Sequence, residues 1–272
     1  MRPMLRPGTH LLTRAGGRLQ AGLDPRTAVV VDDTAAVRTA ARLLSGCADI
    51  SEYPDRALLD LLDAHGHLVD EQHVTGPGDT SRPRRDRAVE IRGFGHPDGD
   101  PARAHLHELL EQAGLRVRGP RSQEPRAIAL VGVGEPSRDV VDEWTRTPTP
   151  YLVVRLTEGN ALLGPFVVAG STACLRCIDA HHTDTDPSWP LLIEQYAQAC
   201  RRDRADGAPE PVDPLLAALA VAWAARDLAT FLAGGRPATW STTFRIDAGT
   251  GDIDARSWLR HPHCGCCWGP AS

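Results

Sequence analysis

The chain has 272 residues, 42% of them hydrophobic and 24% charged, with a formal net charge of −5. That length admits one large domain or two of ordinary size, with a core that needs no disulfides. The acidic balance argues against a nucleic-acid ligand, whose binders carry a basic excess on one face.

Residues 1–17 (MRPMLRPGTHLLTRAGG) carry charge but no continuous apolar stretch. No secretion signal is therefore expected, and the chain is assigned to the cytoplasm. Residues 9–13 and 18–23 alternate polar and apolar on either side of the turn-forming pair Gly16 and Gly17, and residues 27–32 (TAVVVD) are a β-branched run. Together they predict three short strands in an antiparallel sheet. Thr34 is the expected N-cap of a helix over 35–44, which Gly46 stops. Pro54 and Asp55 open a second helix over 56–65, with Leu58, Leu59, Leu61 and Leu62 on its buried side and Gly66 at its end. Leu68 and Val69 suggest a last strand. Three strands, helices and a terminal wing amount to a winged helix-turn-helix over residues 1–74.

Residues 75–87 (TGPGDTSRPRRDR) lack an apolar anchor and predict a linker. Over residues 88–272 strands and helices alternate. Strands are expected at 88–91, 127–133 (AIALVGV), 151–156 (YLVVRL), 164–169 (GPFVVA) and 240–247, and helices at 102–113, 137–145 and 212–233. Strands without polar alternation, separated by helices, indicate an α/β sheet covered on both faces. The run 215–232 comes nearest to a membrane span, but Arg226 and Asp227 interrupt it, so no membrane association is expected.

Cysteine spacing is the strongest chemical signal. Cys174 and Cys177 form a C-x-x-C (CLRC), and Cys264, Cys266 and Cys267 crowd into HPHCGCCW. Cytosolic thiols stay reduced, so such pairs point to metal before disulfide. Two thiol pairs would give Zn²⁺ four ligands with no open position, a structural site tying the tail to the sheet. A redox-active C-x-x-C and unrelated thiols are the competing readings. C-x-x-C spacing favours Cys267 as the fourth ligand, whereas a C-G-C pair would use Cys266. Cys47 and Cys200 lie outside both clusters.

Two further segments invite a chemical reading. Gly93, Gly95 and Gly99 lie between a strand and a helix, where a doubly wound fold binds nucleotide phosphate. The spacing is one residue long, Pro97 interrupts it, and Asp98 and Asp100 bring negative charge. The chain also contains no lysine to hold a triphosphate, so ATP is not an expected cofactor. His181 and His182, with Asp184 and Asp186, could form a second metal or acid/base site, or a solvated polar loop and helix cap.

Three features now carry a resemblance: GPFVVAG ahead of C-L-R-C, the D-x-H-x-x-D-x-D-P-x-W stretch, and the cysteine-rich tail. With them the chain resembles the ThiF-like cyclodehydratase-partner, or leader-peptide-binding, proteins of thiazole/oxazole-modified microcin and thiopeptide biosynthesis. The resemblance implies a winged helix-turn-helix peptide-recognition element followed by a degenerate ThiF-like (Rossmann-type) domain with a structural zinc site. It also implies that the leader of a ribosomally made precursor peptide adds as a strand beside Thr27, Ala28, Val29, Val30, Val31 and Asp32. Leu58, Leu59 and Leu62 could wall that groove, and Asp55 and Arg56 could meet charged leader residues; the same leucines also suit the core. The implied partner is a YcaO-type cyclodehydratase that uses ATP to close azolines, with this chain as its non-catalytic recruiter and a homodimer as a further option. The alternative function is an ATP-dependent adenylating enzyme of the ThiF type acting on a peptide.

Overall fold

The computed structural model describes residues 2–46, 51, 53, 56–70, 88–96, 100–119, 125–202 and 212–266. The chain divides into two compact units, Met1–Asp79 and Thr80–Ser272. The segment 75–87, expected as a linker, lies outside the described residues, as do Asp55, Cys47 and Cys267.

In the first unit β1 (Pro3–Leu5) pairs antiparallel with β5 (Leu68–Asp70). A separate antiparallel sheet has the order β2 (Leu11–Arg14), β3 (Arg18–Ala21), β4 (Val29–Asp32). Helix α1 (Ala35–Gly46) starts where Thr34 predicts, its hydroxyl accepting from the Val37 amide at 3.2 Å. Helix α2 (Arg56–Ala64) ends with Gly66 at φ 72°, and the His67 amide returns to the Leu62 carbonyl at 2.8 Å. Leu19, Ala21, Val29, Val37, Ala40, Leu44, Leu58, Leu59 and Leu62 make one core. His67 was not singled out by sequence. It is buried, and its Nε2 lies 2.6 Å from the Thr27 carbonyl, locking the entry to β4.

The second unit is a seven-stranded mixed sheet of order β12-β11-β10-β9-β8-β6-β7. Its parallel half is β6 (Ala88–Gly95), β7 (Arg116–Arg118), β8 (Ala127–Val133) and β9 (Tyr151–Thr157). The crossovers are α3 (Asp100–Gln112) from β6 to β7 and α4 (Arg138–Thr145) from β8 to β9. They leave the β6/β8 junction in opposite directions, so the topological switch lies there. An antiparallel meander of β10 (Asn160–Val167), β11 (Thr242–Ile246) and β12 (Ile253–Ser257) extends the sheet.

Every residue of β8 is buried, which is why its sequence shows no alternation. Ala127, Ala129, Val131 and Val133 face a core shared with α3 and α7 (Pro214–Leu232). Ile128 and Leu130 face the other core, shared with α4 and α5 (Leu175–Thr183). Contrary to the sequence reading, α7 is by length and composition apolar enough to cross a membrane. Here it is a core helix: Leu216, Ala220, Val221, Ala224 and Leu228 are buried against the sheet, and buried Asp227 accepts from Thr239 Oγ1 at 2.6 Å.

The strand expected at 164–169 begins earlier, at Asn160, because a two-residue hairpin joins it to β9. Glu158 and Gly159 both have positive φ, 52° and 72°, as a type I′ turn demands. Sequence missed it because glutamate replaces the usual Asn or Asp at the first position. Also missed were β1, β7, β12, α5 and α6 (Trp189–Ala199), short or polar elements fixed by their tertiary partners. Asn tolerates the left-handed conformation better than glutamate. Glu158→Asn is therefore expected to stabilise the protein by about 0.5–1 kcal/mol. An unchanged or lower denaturation midpoint would contradict this account of the turn.

Candidate functional site

The cysteine cluster is built from two elements far apart in sequence. Cys174 is the N-cap residue of α5 and Cys177 lies in its first turn, so three-residue helical spacing sets both thiols on one face. The tail reaches them after β12. The Trp258 amide donates to Ser241 O at 2.7 Å, its indole N–H donates to Thr243 Oγ1 at 3.1 Å, and the Cys264 amide donates to His261 O at 3.1 Å. Gly265, at φ 78°, turns the chain so that Cys264 and Cys266 point the same way.

The sulfurs lie 3.8 Å apart for Cys174–Cys177, 3.5 Å for Cys174–Cys264 and 3.3 Å for Cys177–Cys266. Four thiolates at the usual zinc–sulfur bond length stand about 3.8 Å from each other in a tetrahedron. The donor set and its spacing could therefore hold a metal ion and are compatible with zinc. Of the two tail residues considered for the fourth position, Cys266 is the one brought to the cluster; Cys267 lies outside the described residues.

Hydrogen bonding within the cluster separates the thiols. Cys177 accepts from the Cys174 S–H, Cys264 lies in hydrogen-bond contact with Cys174, and both are held below the usual thiol range chiefly by Cys174. Cys174, beside Cys177, and Cys266, beside Cys174, are pushed above it.

A buried charge network adjoins the cluster. Glu135, between β8 and α4, pairs with Arg155 of β9 at 3.1 Å and with Arg138 of α4 at 2.7 Å. Arg138 in turn forks onto Asp179 of α5 at 2.5 and 2.9 Å, and the Trp189 indole N–H donates to the same carboxylate at 3.0 Å. All four charged residues are buried. Burial opposes the charge on Arg138, but the bonds from Asp179 and the charge of Glu135 outweigh it and raise its pKa above the ordinary value. Sequence gave one usable signal, the lone arginine inside YLVVRL. Between α5, α6 and the tail a cavity of about 550 Å³ is bounded by Arg138, Arg176, Asp179, Ile193, Glu194 and Cys264.

The histidine-rich stretch straps the tail to α5. His181 Nε2 lies 2.9 Å from Leu259 O, and His261 Nε2 lies 3.0 Å from Asp184 Oδ2. His181, Asp184 and His261 do come together. However, His261 Nδ1 accepts from the His263 amide at 3.2 Å, which puts the ring proton on Nε2, facing Asp184. That tautomer suits an anchor and offers Nε2 no lone pair for a metal. His182 stacks on Trp189 at 4.3 Å, where burial lowers its pKa.

At the β6/β8 switch the described glycines are used within the chain. A Cβ on Gly93 would lie 2.8 Å from the Arg103 guanidinium carbon, and one on Gly95 would collide with Val133 O. Arg103 pairs with Asp100 and reaches Val131 O at 3.4 Å. Residues 97–99 lie outside the described residues.

In the first unit the Asp33 amide bonds to Gly17 O at 2.9 Å, which fixes the hydrogen-bonding phase of the β3–β4 ladder. By that phase the N–H and C=O of Val30 point away from β3, and among the described residues no strand pairs with that outer edge. Val29 is buried, Val31 half-buried and Val30 38% exposed; Thr27 and Asp32 are exposed and Ala28 is half-buried. Leu58, Leu59 and Leu62, at 3%, 5% and 0% exposure, face the core beneath the sheet, and Arg56 is exposed.

No protein-family model matches the chain. No curated protein matches it either. Solved structures do. The heterocyclase TruD matches with a TM-score of 0.67 at 15% identity, over 98% of this chain and 42% of that one. A heterocyclase in complex with substrate and cofactor matches with a TM-score of 0.62 at 15% identity, over 97% of this chain and 39% of that one. E. coli MccB with selenomethionine MccA matches with a TM-score of 0.64 at 14% identity, over 98% and 99%. At such identities the likeness is one of fold; the chain spans less than half the length of the two heterocyclases and nearly all of MccB.

Two outcomes test the site. Metal loading displaces the protons held on Cys174 and Cys266, so zinc affinity should rise with pH, and Cys264→Ser should abolish stoichiometric zinc. Chelator-competition titrations that find no pH dependence would contradict the ligand set. Asp179→Ala leaves Arg138 buried and short of its partner and is expected to cost about 3–5 kcal/mol, read by denaturant unfolding.

Proposed function

We propose that the protein is a non-catalytic partner that binds the leader of a ribosomally synthesised precursor peptide and delivers it to a YcaO-type cyclodehydratase for azoline formation. The observation that carries this reading is the outer edge of β4, which no strand among the described residues pairs, with the Val30 backbone directed outward, in a chain whose fold is that of solved heterocyclases. An extended peptide laid along that edge gains backbone hydrogen bonds, and its side chains are selected by the surface around exposed Val30 and Arg56. The first unit serves as the winged-helix recognition element, and the buried leucines of α2 hold β4 in shape from beneath.

Recruitment explains why a protein without chemistry of its own is needed. Holding the leader on a docked partner turns the encounter between core peptide and enzyme into an intramolecular event, with a gain of about 10²–10⁴ in avidity. The thiol cluster, filled by structural zinc, keeps the second unit rigid as the docking platform. In TruD the shared fold occupies 42% of the chain, which leaves room in that protein for a second functional part. The adenylating alternative asks for an open phosphate cradle, and Arg103 already packs against Gly93, where that cradle would lie.

Fluorescence polarisation with a labelled candidate leader peptide tests the proposal. Val30→Pro removes an outward-facing donor while sparing the ladder to β3, a position where an edge strand tolerates proline. It is expected to weaken leader binding by about tenfold or more, whereas Val30→Ala keeps most of the affinity. Equal affinity in a folded Val30→Pro protein would refute strand addition at β4, and calorimetric ATP binding would point back to the adenylating enzyme.

A further inference from the structure

The far edge of the large sheet carries a second, independent signal. All five residues of β12 are exposed, and among the described residues no strand covers its outer side. The Trp258 amide bonds to Ser241 O at 2.7 Å and the Asp247 amide to Asp252 O at 3.0 Å, which sets the phase of the β11–β12 ladder. In that phase Asp254 and Arg256 turn their backbone groups toward β11. Ile253, Ala255 and Ser257 turn theirs outward. Such an edge is a template for another strand.

The charges on this strand say which strand. We propose that β12 pairs antiparallel with β12 of a second copy of this chain, about a two-fold axis through Ala255. In that register Ala255 faces Ala255, and Ile253 faces Ser257, all outward-directed residues that can exchange backbone hydrogen bonds. Asp254 of each copy then stands opposite Arg256 of the other, with Cβ atoms about 4.5–5.5 Å apart on one face. Moving the axis by one residue sets Asp254 against Asp254 or Arg256 against Arg256. The charge pattern thus selects one register and rejects its neighbours. Within the chain both side chains already stand on that face. Arg256 lies 3.9 Å over the Trp258 ring and Asp254 lies 3.9 Å from Arg245, with 80% of the Asp254 side chain exposed. Ile253, 49% exposed, is covered at each end of the paired strands. The pairing is isologous, so it closes at two copies and joins their sheets into one.

Charge reversal tests this with the full-length, metal-loaded protein in sedimentation experiments over a range of concentrations. Wild type is expected to show a reversible shift from one chain to two. Asp254→Arg and Arg256→Asp each set like charges face to face, and each alone should lose the dimer. Mixed together they restore both ion pairs, and a heterodimer should reappear. That rescue separates the pairing from a folding defect, because both variants must be folded to give it. A single-chain mass for wild type at every concentration would overturn the proposal. So would a dimer that survives either reversal.

Discussion

The larger unit depends on how the tail is held against α5. Its antiparallel extension ends at β12, a strand with no buried residue; just beyond it Trp258 is buried in the core with Ile128, Tyr151 and Leu175, and Cys264 and Cys266 pack against that core. Directed contacts secure the tail: Cys264 and Cys266 beside Cys174 and Cys177 in a cluster that could hold a metal ion, His261 on Asp184, and His181 on Leu259. Without the cluster those hydrogen bonds would each contribute only about 1 kcal/mol. A metal held by the four sulfurs would fasten the tail to α5 more firmly than those bonds do.

The charge network extends the same constraint inward. Asp179 sits on the helix that carries Cys174 and Cys177, and through Arg138 and Glu135 it is joined to Arg155 on β9. Helix α5 is therefore fixed to the parallel half of the sheet by paired charges and to the tail by thiols. Two arginines and two carboxylates balance, so burial leaves no net charge to neutralise. The Trp189 indole on Asp179 brings the start of α6 into the same system.

Legibility followed the physics of each element. Strand β8 and helix α7 were plain because burial demands unbroken apolar runs, and α1 and α2 because their stop and start residues have local causes in Thr34 and Gly66. The cysteine pairs were legible because metal geometry restricts spacing. The fourth member of the cluster was not, since both Cys266 and Cys267 suit a turn; among the described residues the path through Gly265 brings Cys266 there. Glu135 and Arg138 were hidden because a buried ion pair is a long-range arrangement without sequence period, and Arg155 showed only as a charge inside an apolar run. The glycines of the β6 loop drew a nucleotide reading that the sequence itself weighed against. Their missing Cβ atoms make room for Arg103 and for Val133 O, a requirement that looks identical in sequence to a phosphate cradle.

The separation of the thiols along the chain has a consequence for how the protein is made. Cys174 and Cys264 are 90 residues apart, and Cys177 and Cys266 are 89. Bringing such distant positions together costs about 4 kcal/mol of chain entropy, which grows only slowly with further length. Pairing the strands of the sheet draws the two thiol pairs close and meets that cost, so a metal bound afterwards would find its donors already gathered. A metal held there would then act as a latch on a finished shape, and without it the sheet would be correctly wound but unfastened at one end.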